Sequence, residues 1–262
     1  MIIDVHTHIG KIGGRDLTPQ DLLSSMDEAG IDYSLVIALE EQPDQLSMDD
    51  IIKICEQNPR LKAIGKVDFH NVSKEVIEKL ESYLKEGKIL GVKFYTGYQR
   101  FFPDDPKLHP IYEFCQANNF PVIYHTGVLE KGFPGLLKSS HPLNIDDVAD
   151  LFPKLKIVIA HMGNPWIMDC AAVVAKNENV YMDFSGFFTE YQPLNSEEIE
   201  MFIRQLKDFK IFAGFKKCMF GTDWPICPQK EYLATTNRLP MTEEEKDLVF
   251  WKNAKDVFNV KT

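Results

Sequence analysis

The chain contains no CxxC pair, and its five cysteines, Cys55, Cys115, Cys170, Cys218 and Cys227, are an odd number. That suits a reducing compartment better than a secreted disulfide framework, and the thiols are expected as buried small hydrophobes. Nowhere do about 18 consecutive apolar residues occur, so no membrane span is expected, and no basic segment with an apolar stretch follows Met1. Lys/Arg-rich runs are missing too. With 29 Lys and Arg against 39 Asp and Glu, the net charge of -10 repels phosphate backbones and anionic lipid. Nucleic acid and membrane are therefore excluded as partners, and the expected location is cytoplasmic. Gly/Ser/Pro linkers and low-complexity tracts are also lacking, which favours one domain over residues 1–262. What is present, 44% hydrophobic and 26% charged residues, rules out disorder and a fibre.

Short apolar, β-branched runs alternate with amphipathic stretches, which predicts a parallel sheet under helices. The predicted strands are Ile2–His6, Tyr33–Leu39, Leu61–Asp68, Leu90–Tyr95, Pro121–His125, Ile157–His161, Val180–Ser185 and Cys218–Asp223. These eight are the number that closes a (β/α)₈ TIM barrel. Ile157-Val158-Ile159-Ala160 is apolar throughout, as a strand buried on both faces should be. Thr18, Ser47, Asn195 and Thr242 each precede acidic residues at helix-start spacing, and Gly30 is placed to end the first helix.

His6-Thr7-His8 ends the first strand, and period-two alternation points both imidazoles the same way. His125 ends the fifth strand, His161 the sixth and Asp223 the eighth. In a barrel, these C-terminal strand ends converge on one rim, where catalytic residues gather. Four imidazoles and a carboxylate suit a borderline divalent cation such as Zn²⁺, and three or four protein ligands plus water describe an open, catalytic site.

The HxH, Gly91-Val92-Lys93, His125, His161-Met162-Gly163 and Gly221-Thr222-Asp223-Trp224-Pro225, with the closing segment from Val249 to Phe258, resemble the amidohydrolase superfamily of metal-dependent TIM barrels. The nearest branch is the amidohydrolase-related group, which includes aminocarboxymuconate semialdehyde decarboxylase. The resemblance implies that His6, His8, His125 and Asp223 bind one Zn²⁺ in preference to two. His161 then either binds a second ion or serves as acid/base and steadies the oxyanion, while Asp223 takes a proton from the reacting water. Lys93 is carboxylated in some binuclear relatives; here it is read as a cation near the substrate. Homodimers also occur in this group.

Loops after the strands should supply substrate contacts. Tyr98 and Arg100 could clamp a carboxylate or a ring, Asn164 and Trp166 follow the sixth strand, and Trp224 could wall the pocket. Arg15 has a status similar to Arg100, and His70 lies on the rim. His109 and His141 read as surface or capping residues. Only nine residues separate His8 from Thr18, which predicts a simple, open site. The leading reading is a metal-dependent hydrolase of a small-molecule amide, lactone or ester. The alternative is a non-oxidative decarboxylase of a small aromatic or unsaturated acid. A barrel that binds metal but has lost activity is disfavoured, because no expected position is degraded.

Overall fold

The computed structural model describes residues 1–39, 45–188 and 195–261. Eight parallel strands run around the barrel in chain order: β1 (Ile3–Thr7), β2 (Tyr33–Ile37), β3 (Leu61–Lys66), β4 (Val92–Phe94), β5 (Val122–His125), β6 (Ile157–Ala160), β7 (Val180–Asp183) and β8 (Cys218–Met219). The ring closes without a regular β8–β1 ladder. The β1 amide of Val5 donates to the Phe220 carbonyl at 3.0 Å, that of Asp223 to His6 at 2.8 Å and that of His8 to Trp224 at 2.8 Å.

Inside the barrel, Ile3, Val5, Leu35, Ile37, Ile64, Ile123, Val158, Ala160 and Met219 form one apolar cluster, which the C-terminal helix Asn253–Phe258 joins through Val257 and Phe258. A larger cluster fills the layer between strands and helices. All four expected helix caps form capping boxes, with Thr18, Ser47, Asn195 and Thr242 each paired to the acidic residue three positions on. Gly30 ends the first helix at φ 72, in the left-handed conformation that glycine adopts freely. The five cysteines are buried and free. Among the described residues, no helix is long and apolar enough to cross a membrane.

Two local departures position the rim. Pairing of β1 with β2 steps from Asp4↔Ser34 to Thr7↔Val36, three residues against two, so β1 carries one extra residue between Asp4 and Thr7, where the HxH begins. Such a bulge re-aims side chains. The predicted sixth and eighth strands also stop early: β6 ends at Ala160 and β8 at Met219. His161 and Asp223 follow them with φ of 64 and 67, so the chain turns sharply at both positions instead of continuing as strand.

Candidate active site

The rim gathers His6, His8, His125, His161, Lys93 and Asp223 around one cavity of about 180 Å³. A neighbouring cavity of about 610 Å³ shares His125, His161, Asp223, Tyr98, Glu130 and Ile226 with it. Together they offer room for a small molecule.

His6 organises the centre. Its Nδ1 lies 3.1 Å from Asp183 Oδ2, and its Nε2 lies 3.7 Å from Asp223 Oδ1 and 3.3 Å from Lys93 Nζ. An ionised carboxylate only accepts, so Nδ1 carries the hydrogen and Nε2 keeps its lone pair, which accepts from Lys93 Nζ on the side of the ring nearest Asp223. His8 is set the same way: Nδ1 faces the Ile37 carbonyl at 2.9 Å and Nε2 lies 3.1 Å from Asp223 Oδ1. Two groups of three donors result, His6–His8–Asp223 and His6–His161–Asp183. They use opposite nitrogens of the same ring.

Zinc bonds of about 2.0–2.1 Å at tetrahedral angles place neighbouring donors about 3.3 Å apart. The 3.1 and 3.7 Å separations around Asp223 Oδ1 fit that requirement. The Asp183 side fits less well, because its Oδ1 already accepts from the amides of His161 and Ser185 and from Ser185 Oγ. Asp183 behaves as the group that orients His6, an arrangement common behind metal-binding histidines.

Electrostatics favour the same state. Burial, reinforced by Lys93, lowers His6 from 6.5 to about 4. Burial lowers His161 to about 3 and holds His125 well below 6.5. Burial opposes ionisation of Asp223, yet the three imidazoles around it, His161, His8 and His6, more than offset it and hold the carboxyl well below its usual range. Asp183 is likewise held low by His6 and His161 against its own burial. Burial depresses Lys93 to about 8, with Asp183 and Asp223 opposing the shift. Neutral imidazoles beside ionised carboxylates are the protonation state that a cation requires.

His125 stands apart from both donor groups. Its ring centroid is 4.7 Å from that of His161, but its Nε2 meets the Val128 carbonyl at 3.0 Å. Tyr98 lines both cavities and its hydroxyl accepts from the Glu130 amide at 2.9 Å, while Asn164 lines the second cavity.

Several expected contacts do not reach the site. Thr96–Gln99 forms a helical turn closed by Arg100 at φ 57, and Arg100 is exposed outside both linings. On such a turn, residues two apart project about 200° from one another, so Tyr98 and Arg100 cannot clamp the same group. Trp166 packs against His141, ring centroids 4.5 Å apart and tilted by 44°, outside both linings. Trp224 is buried in the outer core, because the segment after β8 folds back against β1. His70 and Arg15 are exposed and line neither cavity. His109 and His141 have the local roles expected of them: His109 Nε2 faces the Asp104 carbonyl and His141 accepts from the Leu143 amide.

The segment between His8 and Thr18, read as leaving a simple, open site, contributes one wall of it. Residues Gly10–Ile12 and Arg15–Leu17 pair as a hairpin, and Lys11, Ile12 and Gly13 wall the first cavity. Nine residues suffice because a two-residue turn reverses the chain. Unforeseen members of the site include Asp183, Ser185 and Glu130. Asp183 and Ser185 carried a usable signal, since they are spaced by two at the end of a predicted strand, as His6 and His8 are.

The amidohydrolase family profile matches residues 3–260. No curated protein matches the sequence. Among solved structures, an amidohydrolase from Burkholderia multivorans with bound zinc superposes at TM-score 0.78 with 16% identity, covering 100% of both chains. A probable 2-pyrone-4,6-dicarboxylic acid hydrolase from Acinetobacter baumannii with citric acid bound gives 0.70 at 18% identity over 98% of this chain and 99% of that one. The 2,6-dihydroxybenzoate decarboxylase from Rhizobium gives 0.70 at 17% identity over 98% of each chain. At these identities the likeness concerns the barrel itself. The profile match, running from β1 to the residues just after the C-terminal helix, establishes that the chain belongs to the amidohydrolase family.

Proposed function

We propose that the protein is a metal-dependent hydrolase of a small-molecule amide, lactone or ester, with one zinc ion held by His6, His8 and Asp223. His125 would be the fourth ligand once its Nε2 leaves the Val128 carbonyl. The observation that carries this reading is the orientation of His6 and His8, each with Nδ1 committed behind it and Nε2 facing the same Asp223 oxygen.

A divalent ion held there supplies Lewis acidity and lowers the pKa of water. The rest falls to the chain's own groups. Asp223, ionised and accepting only, can take the proton from the reacting water and return it to the leaving group. His161 borders both cavities beside Asp223 and adds a second acid/base group. Lys93 offers a buried cation at the cavity floor, and Tyr98 and Asn164 frame the substrate.

Non-oxidative decarboxylation is the second reading. The Lys93 cation suits a carboxylate substrate, and the Rhizobium protein with this fold is a decarboxylase. Turnover of a panel of lactones, amides and carboxylic acids in ¹⁸O-labelled water separates the two. Label in the product supports hydrolysis; CO₂ release without label supports decarboxylation. Elemental analysis should find one zinc per chain. Asp223→Asn should keep the fold and lower kcat/KM by at least about 10²-fold. Full activity in that variant would remove the role given to Asp223.

A further inference from the structure

Ser185 makes three contacts behind the site that the hydrolytic reading does not use. Its Oγ lies beside Asp183 Oδ1, 3.1 Å from His6 Nδ1 and 3.0 Å from His161 Nδ1. A hydroxyl has one hydrogen to give. Asp183 Oδ1 is an acceptor only and is the closest of the three partners, so the hydrogen goes there. Ser185 Oγ can then only accept from the imidazoles. His6 Nδ1–H has Asp183 Oδ2 at the same 3.1 Å, and the charged acceptor takes it. That leaves the oxygen's lone pair for His161, whose Nδ1 must therefore bear a hydrogen.

We infer that Asp183 and Ser185 act as a positioning pair that fixes His161 as the Nδ1–H tautomer, leaving Nε2 to serve the reaction as a proton acceptor. The inference rests on the hydrolytic reading only for the use made of Nε2; the tautomer follows from the contacts alone. Among the described residues, Nε2 has no hydrogen-bond partner, whereas Nδ1 and the backbone amide of His161 are both tied back to this pair, and Asp223 Oδ2, a second acceptor-only group, lies 3.9 Å from the same Nδ1. The consequence is directional. A neutral His161 cannot donate from Nε2 to an oxyanion. Asp223 takes the proton released as the water oxygen bonds to the substrate carbonyl carbon and gives it to the leaving group as the scissile bond breaks, while His161 Nε2 accepts the second water proton as the carboxylic acid product ionises. The oxyanion-steadying role expected for His161 is thereby replaced.

The test is imidazole nitrogen NMR on the zinc-loaded protein with ¹⁵N-histidine, the His161 signals being assigned with His161→Gln. The wild type should show hydrogen-bearing Nδ1 and unprotonated Nε2. Ser185→Ala should yield a mixture of tautomers, with zinc content unchanged and kcat/KM lowered about 10- to 100-fold. Hydrogen on Nε2 in the wild type, or a Ser185→Ala spectrum and rate identical to wild type, would overturn the inference. The wild-type spectrum needs neither turnover nor a folded variant. An Nδ1–H spectrum from a protein inert on every substrate would defeat the hydrolytic reading while leaving the tautomer in place.

Discussion

Gly186 stands where any side chain would collide with the site. A Cβ built on it would lie 2.6 Å from His161 Nδ1 and 2.8 Å from Asp223 Oδ2, and its φ is 60. Gly186→Ala should therefore displace two reacting groups at once and add a left-handed cost of about 1–2 kcal/mol. Displacements near 1 Å can cost about 10²-fold in rate, so kcat/KM should drop by that order while zinc content and the cooperative melt persist. Unchanged kcat/KM would mean that His161 and Asp223 yield without consequence. The residue scale also shows the limit of reading types and spacings. His6, His8, His161 and Asp223 were legible because they fall at or just beyond the ends of apolar strand runs, but the tautomers of the histidines depend on Asp183, Ser185 and the Ile37 carbonyl, which only folding brings near. Arg100 and Trp166 looked equally suitable in the sequence. Their directions were set by a helical turn and by packing against His141.

At the scale of elements, the junction between β1 and the segment after β8 holds the metal-facing groups in register. Buried Asp4 ties it together: Oδ1 accepts from the amides of His6 and Thr222, and Oδ2 from Thr222 Oγ1 at 2.6 Å and Gln229 Nε2 at 2.8 Å. Replacing Asp4 by Ala strands several buried donors, each worth about 1–3 kcal/mol when unsatisfied. Urea unfolding should show a loss above about 3 kcal/mol, against almost none for a substitution at exposed Lys74. A near-neutral Asp4→Ala would show that the backbone hydrogen bonds close the barrel unaided. The strand count and the four capping boxes were readable because alternation and cap chemistry are local. The bulge in β1 and the hairpin wall were not, since pairing partners determine both.

For the whole molecule, burying so many titratable groups couples folding to pH. His6 ionises near 6.5 when unfolded but only near 4 when folded, because burial, and then Lys93, disfavour its charge. Between those values the unfolded chain binds the extra proton, so acidification from 6.5 toward 4 should destabilise the metal-free protein, by about 3 kcal/mol from His6 alone. His161, lowered to about 3, adds to this. Asp4 opposes it: burial raises it from 3.8 to about 6, so its contribution improves as pH falls through that range. Three histidines, His125 included, against one carboxyl give a net loss. Chemical unfolding of chelator-treated protein at pH 6.5, 5.5 and 4.5 should show stability falling at each step; a flat or rising series would contradict the burial of these imidazoles in neutral form. The sequence by itself determined the barrel, the rim and the convergence there of His6, His8, His161 and Asp223, because period-two alternation and strand-end position are local properties of the chain. Only the tertiary structure decided which nitrogen each histidine presents, that Asp183 and Ser185 stand behind them, and which loop side chains face the cavity. Those are settled by contacts between residues such as His6 and Asp183, 177 positions apart, that no local pattern encodes.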